Sequence, residues 1–197
     1  GVTGGIGAGK SAVAQILGKL GALVIDSDTL AHEELRSADV IEAIKAQWGP
    51  AVCSASGEVD RAALGSKVFG DPAELKKLED LLYPRIHRRR RQIIAEHAGR
   101  PGLRAVVLDA PKLYEAGVDK ECDAVIFVDA DEEIRVRRVS ENRGWGHAEL
   151  ARREKMQIPL DKKRTMADYV IVNNHPGLDS LTPELKRILD CVVGSKV

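Results

Sequence analysis

Near its start the chain reads Gly4-Gly-Ile-Gly-Ala-Gly9-Lys10-Ser11, a run that fits G-x-x-x-x-G-K-[ST] and that few local structures accommodate. Glycine opens backbone regions closed to other residues, so this run is expected to wrap and to turn successive N–H groups toward one centre. The segment ending at Thr3 reads as the end of a strand, whose upstream part is expected to precede Gly1. Behind the run, Val13, Ile16, Leu17 and Leu20 keep helical spacing. A strand, a glycine turn and an amphipathic helix in that order predict a phosphate seated on a helix N-terminus. Gly5, Ile6, Gly7, Ala8, Gly9, Lys10 and Ser11 are then the phosphate-binding residues of a nucleoside triphosphate site. Lys10 is expected to reach the β and γ phosphates, and Ser11 to place its hydroxyl on Mg2+. The plain alternative, a solvated lysine after a loose turn, does not explain the strand and helix on either side.

The rest of the chain alternates short apolar runs with longer amphipathic stretches. Ala22–Ile25, Ala105–Leu108, Ala124–Val128 and Tyr169–Val172 lack polar alternation, as strands buried on both faces do. The expected fold class is therefore α/β, a parallel sheet with helices on both faces. Residues 1–28 and 104–197 are expected to form a nucleotide-binding core, and 29–103, which holds no comparable apolar run, a helical insertion. Residues from about 135 to 165 are strongly charged, break near Gly144-Trp-Gly146, and read as a helical lid. Thr182 as N-cap and Pro183 as first helical residue are expected to open a last helix, with Leu185, Ile188, Leu189 and Val192 on one face.

Ligands of open α/β sheets sit beyond the carboxyl ends of strands, so aspartates placed there are informative. Asp26 and Asp28 follow the second strand and Asp109 follows the third. Asp28 is the candidate for taking the proton of an acceptor hydroxyl. Asp26 and Asp109, with Ser11, are the candidates for holding Mg2+. Helix capping by Ser27 or Asp28, and a turn at Asp109, are the structural alternatives. Asp129 and Asp131 are expected to cap the helix through Glu132. Among Arg135, Arg137, Arg138, Arg143, Arg152 and Arg153, Arg138 and Arg143 are the leading candidates for neutralising charge during phosphoryl transfer. Helix pairing with Glu132, Glu133, Glu141, Glu149 and Glu154 is the alternative for each.

Charge and composition narrow the classes. Lysine plus arginine and aspartate plus glutamate both number 30, so no whole-protein attraction to nucleic acid or anionic membrane is expected. The Arg85–Arg91 run carries Leu82, Ile86, Ile93 and Ile94 at helical spacing and no interleaved aromatic residues. It is read as a solvated helix face or a site for a phosphorylated substrate, with nucleic acid third. No apolar run is long enough to span a bilayer. Cys53, Cys122 and Cys191 form no C-x-x-C pair, which fits a reducing, cytoplasmic setting. The five histidines show no metal-ligand spacing. A monomer is favoured.

Several stretches together carry a resemblance to one family: Val2 to Ser11, Val24-Ile-Asp-Ser-Asp28 with Ala31-His32, Leu82-Tyr-Pro84, Leu108-Asp-Ala-Pro111 with Glu115-Ala-Gly117, Gln157-Ile-Pro159, and Ala167-Asp-Tyr-Val-Ile-Val-Asn173. In this order and spacing they resemble dephospho-coenzyme A kinase, through about residue 175. The resemblance implies a P-loop NTPase three-layer sandwich with a helical insertion and a lid. It implies ATP and Mg2+ as cofactors, dephospho-CoA as substrate, and phosphorylation of its ribose 3′-hydroxyl. Asp28 matches the second aspartate of the family's Asp-x-Asp motif, the proposed base. Gln157 matches the lid glutamine, and Asn173 the asparagine near the adenine pocket. The chain departs from the family at Tyr83-Pro-Arg-Ile-His87, where histidine and arginine are usual, at Lys112, where leucine is usual, and at Arg135, where glutamine is common. Arg85 is the candidate for a displaced cation. A kinase for another small alcohol or nucleotide is the nearest rival. A GTPase switch would need N-K-x-D after a strand, where this chain has Asn173-Asn174-His175-Pro176.

Overall fold

The computed structural model describes residues 1–175 and 177–195; Pro176 lies outside them. The chain divides into two compact units, one of Gly1–Asp26 with Gly99–Val197, the other of Ser27–Ala98.

The first unit is built on five parallel strands: β1 (Val2–Gly4), β2 (Ala22–Asp26), β3 (Ala105–Asp109), β4 (Ile126–Asp129) and β5 (Tyr169–Val172). Their order is β2-β3-β1-β4-β5, which puts the strand feeding the glycine turn at the centre. Val2, Ile126, Val128 and Ile171 project to one face, where they bury against α1 (Lys10–Lys19) and α9 (Thr182–Gly194). Each such Leu, Ile or Val side chain contributes about 1.5–3 kcal/mol when fully buried. Leu185, Ile188 and Leu189 of α9 form the expected stripe, but the helix begins at Thr182 with Leu181 in the cap position, one residue earlier than its Thr-Pro signal predicts.

Residues alternating with these face the other way. Thr3 and Phe127 are buried there. Helix α8 (Leu160–Met166) packs on β1 and β4, and its Lys163 and the Thr3 hydroxyl both donate to Pro111 O, which puts α8 on this second face. Helices thus cover both faces of the sheet. Helices α6 (Glu132–Arg143) and α7 (His147–Glu154) flank the Gly144-Trp-Gly146 break expected from the sequence. The fourth strand starts at Ile126 rather than Ala124, because Val125 N is taken by Asp168 Oδ2 at 2.7 Å instead of a ladder partner.

The second unit is helical: α2 (Ser27–Glu34), α3 (Ala38–Trp48), α4 (Arg61–Val68) and α5 (Pro72–His97), with a 3-10 turn at Pro50–Val52. Asp60 accepts from Ala62 N and Ala63 N, and Asp71 from Ala73 N ahead of Pro72, so both later helices start on side-chain caps. Leu30, Val40, Ile44, Leu64, Leu82 and Ile86 supply its buried residues. Trp48 donates to Glu74 at 2.7 Å, tying the end of α3 to the start of α5.

Candidate active site

The glycine run joins β1 to α1 and takes the expected conformation for a local reason. Gly7 and Gly9 have φ of +79° and +92°, values that L side chains rarely adopt. Space is closed as well: a Cβ on Gly7 would lie 2.8 Å from Arg135 O, and one on Gly9 would run into the Asn173 amide. Lys10 Nζ folds back to Gly5 O at 2.9 Å and Gly4 O at 3.2 Å, which places its ammonium inside the turn. Ser11, in the first turn of α1, is exposed.

The carbonyls of the turn are gripped from one side. Asn173 Nδ2 donates to Ala8 O at 2.8 Å, and Arg138 NH1 approaches Ala8 O at 3.3 Å and Gly7 O at 3.5 Å. Arg135 NH1 reaches Ile6 O at 3.4 Å. Several of these are long and individually weak. Their common direction matters more: in a trans peptide the N–H points opposite to the C=O, so carbonyls fixed outward turn the following N–H groups toward the other side. Ala8 N–H is taken by Gly5 O at 3.1 Å, which leaves the N–H groups of Gly7 and Gly9 as the donors this geometry turns inward ahead of a helix N-terminus, as in an anion cradle.

Arg135 is 7% exposed and anchored further by Ala130 O and by an ion pair with Glu154. Ile6, Val139 and Leu150 bury together, with Val136 and Trp145 packed alongside, so the α6–α7 pair forms a wall against the turn. The segment read as a lid includes this wall. Arg138 touches loop carbonyls. Arg143 is exposed and stands over the Trp145 ring at 4.8 Å, with Arg153 over the same ring at 3.9 Å. Arg152 and Arg153 also bracket Glu149, and their guanidinium groups hold its carboxyl down at about 2. Glutamate pairing thus accounts for three of the lid arginines. Asp131 occupies the cap position of α6 without a side-chain cap bond, contrary to expectation; its N–H donates to Asn174 Oδ1, and Asp129 pairs with Arg164 instead.

Asp26 and Asp109 end adjacent parallel strands and are partners in register. Their Cα atoms are therefore about one strand spacing apart, about 4.8 Å, with side chains leaving the same face. Asp109 is buried. Two neighbouring carboxylates offer the oxygen donors that Mg2+ takes when substrate phosphates complete its shell. Asp28 lies in the first turn of α2, two residues past the end of β2. The helix begins at Ser27, so neither residue acts as the outlying cap considered from sequence.

Within the helical unit the Arg85–Arg91 run is divided. Arg85 pairs with Asp39 at 2.6 Å, which lowers the Asp39 carboxyl chiefly through that hydrogen bond. Arg90 is 2% exposed, with NH2 3.2 Å from His87 Nδ1. Arg88 and Arg91 are exposed. The run is neither a uniform solvated face nor a continuous basic patch.

Sequence reasoning missed Lys163. This side chain is 0% exposed and contacts Glu115 Oε1 at 2.8 Å, Pro111 O at 2.9 Å and Gln157 Oε1 at 2.9 Å. The available signal was its place at i+3 from Leu160, on the stripe an apolar residue would occupy.

The dephospho-CoA kinase profile matches residues 1–179. The chain belongs to the dephospho-CoA kinase family. A dephospho-CoA kinase of Geobacillus kaustophilus is 40% identical over 177 residues, 88% of this chain and 87% of that protein. One from Corynebacterium glutamicum is 36% identical over 194 residues, 96% of each. A Thermus thermophilus crystal structure aligns over 100% of this chain and 96% of its own, with a TM-score of 0.81 at 34% identity. Dephospho-CoA kinase from Campylobacter jejuni shares the fold, with a TM-score of 0.67 at 22% identity, covering 100% of this chain and 97% of that one. Among the described residues, no helix is long and apolar enough to cross a membrane.

Proposed function

We propose that this member of the family transfers the γ-phosphoryl group of ATP to the ribose 3′-hydroxyl of dephospho-CoA, yielding CoA and ADP. The observation that carries the reading is the braced turn, whose Ile6, Gly7 and Ala8 carbonyls are held outward while Lys10 is held within. The 3′-oxygen forms a bond to the γ-phosphorus as the bond to the β–γ bridging oxygen breaks, and the proton of the hydroxyl passes to Asp28. The following helix dipole and the Lys10 charge act on the β and γ phosphates throughout.

Ser11, Asp26 and Asp109 would hold Mg2+, which when bound neutralises phosphate charge and aligns the triphosphate. Gly5 to Ser11 form the nucleotide cradle, and Asn173 supports it from β5. Arg138 acts on the turn it grips, and Arg143, stacked on Trp145, is the candidate for neutralising charge during transfer. The unit of Gly1–Asp26 with Gly99–Val197 is the nucleotide-binding core, with its lid near 135–165, and the helical unit of Ser27–Ala98 receives the acceptor.

Mixing the protein with MgATP and dephospho-CoA should give a product heavier by one phosphoryl group, located at the 3′ position by mass fragmentation. Efficient phosphorylation of another alcohol from an acceptor panel, with dephospho-CoA left unchanged, would replace this reading with the rival kinase.

A further inference from the structure

The three acceptors around Lys163 account for all three N–H bonds of an ammonium group, and this side chain is fully buried. They come from separate places: Pro111 O, two residues beyond Asp109; Glu115, which also accepts from Ile158 N at 2.8 Å; and the Gln157 side chain. Lysine donates and cannot accept, so the atom of Gln157 facing Nζ must be the amide oxygen. The Nε2 group, with both its N–H bonds, is thereby directed away from Lys163. Three residues on, Leu160 opens α8 against the turn: a Cβ on Gly5 would lie 3.2 Å from Leu160 Cδ1. The fixed amide is thus carried by the strap that abuts the phosphate-binding turn.

From this geometry we infer that Lys163 is a positioning residue that locks the Gln157 amide with Nε2 as donor, and that Nε2 donates to a phosphate oxygen of a bound substrate. Half-buried Gln157 is the contacting group, and Lys163 acts only through it. An unpinned amide would present oxygen about as often as nitrogen, and oxygen repels phosphate. A neutral donor on a strap beside the turn adds a directional bond where the charge is already supplied by Lys10.

The inference takes its ligands from the kinase reading, and the two fail separately. Absence of 3′-phosphorylated product from the unmodified protein sinks that reading, whereas equilibrium binding of ATP and of dephospho-CoA, titrated separately, reads the inference. Gln157→Glu keeps an acceptor for Lys163 but removes both donors. It should leave the melting temperature within about 2 °C and weaken binding of one of the two ligands by about tenfold or more, and the ligand affected identifies the phosphate contacted. Unchanged binding of both ligands overturns the inference. Lys163→Met combined with Glu115→Gln removes the pin without stranding a buried charge. It should weaken the same ligand by about threefold or more in the unmodified background and have no further effect on top of Gln157→Glu. Full additivity of the two losses overturns the positioning role, and a failure of the paired variant to fold leaves the Gln157→Glu result to decide.

Discussion

Asn173, at the end of the last strand, donates its side-chain N–H to the carbonyl of Ala8 at 2.8 Å, a contact spanning 165 positions of sequence. The phosphate-binding turn is therefore held from β5, not only by the strand and helix it connects. Asn173→Leu removes the donor and leaves Ala8 O with only the longer Arg138 contact. A buried bond of this kind is worth about 1–3 kcal/mol when one partner is lost. ATP binding measured by calorimetry should weaken about tenfold, with dephospho-CoA binding nearly unchanged.

The register pairing of Asp26 with Asp109 bears on the metal. Asp109→Asn, keeping shape and removing charge, should raise the Mg2+ concentration needed for half-maximal turnover by about tenfold, since a hard cation prefers anionic oxygen. A titration of activity against Mg2+ that superimposes on the unmodified protein would remove Asp109 from the metal site.

Asp28 is expected to act on the acceptor, so Asp28→Asn should lower turnover by about a hundredfold or more while ATP binding stays within twofold, about the scatter of such titrations. Single-turnover kinetics with calorimetry of the same sample separates the two effects. Near-normal turnover would take Asp28 out of the mechanism.

Tyr114 carries a buried hydroxyl with no hydrogen-bond partner among the described residues, and burial pushes it up to about 12. A raised value means the folded state keeps its proton longer than the unfolded chain. The contribution is complete below the ordinary tyrosine value of 10 and is lost as pH rises toward 12. Tyr114→Phe discards an unsatisfied group, so it should leave stability unchanged or raise it by up to about 1 kcal/mol in urea unfolding at neutral pH. It should also flatten the alkaline fall in melting temperature.

Glu149 behaves in the opposite sense. Held at about 2 by Arg152 and Arg153, its contribution to α7 is present above the ordinary glutamate value of 4.5 and fades as pH falls toward 2. The difference in melting temperature between the unmodified protein and Glu149→Gln should be constant from pH 5 to pH 8, a range lying above both values, and should vanish near pH 2. A difference that persists at pH 2 would show that the pairing is not its source.

Local patterning was enough to determine much of this protein. The glycine run, the apolar strands and the helical spacing of α1 and α9 follow from backbone sterics and from side-chain period, which act over a few residues and so are written in order along the chain. Family motifs added the acceptor and the identity of Asp28. Which charges are structural depends on how distant segments meet in the folded chain. Arg90, Arg135 and Lys163 look like surface cations in sequence, yet all three are buried; Arg135 and Lys163 meet Glu154 and Pro111 from other segments, while Arg90 meets His87 of its own helix. Burying a charge is tolerated only where such partners converge. Convergence is a property of the folded chain, invisible in the spacing of any one helix, and it turns Arg138 and Asn173 onto the carbonyls of the turn.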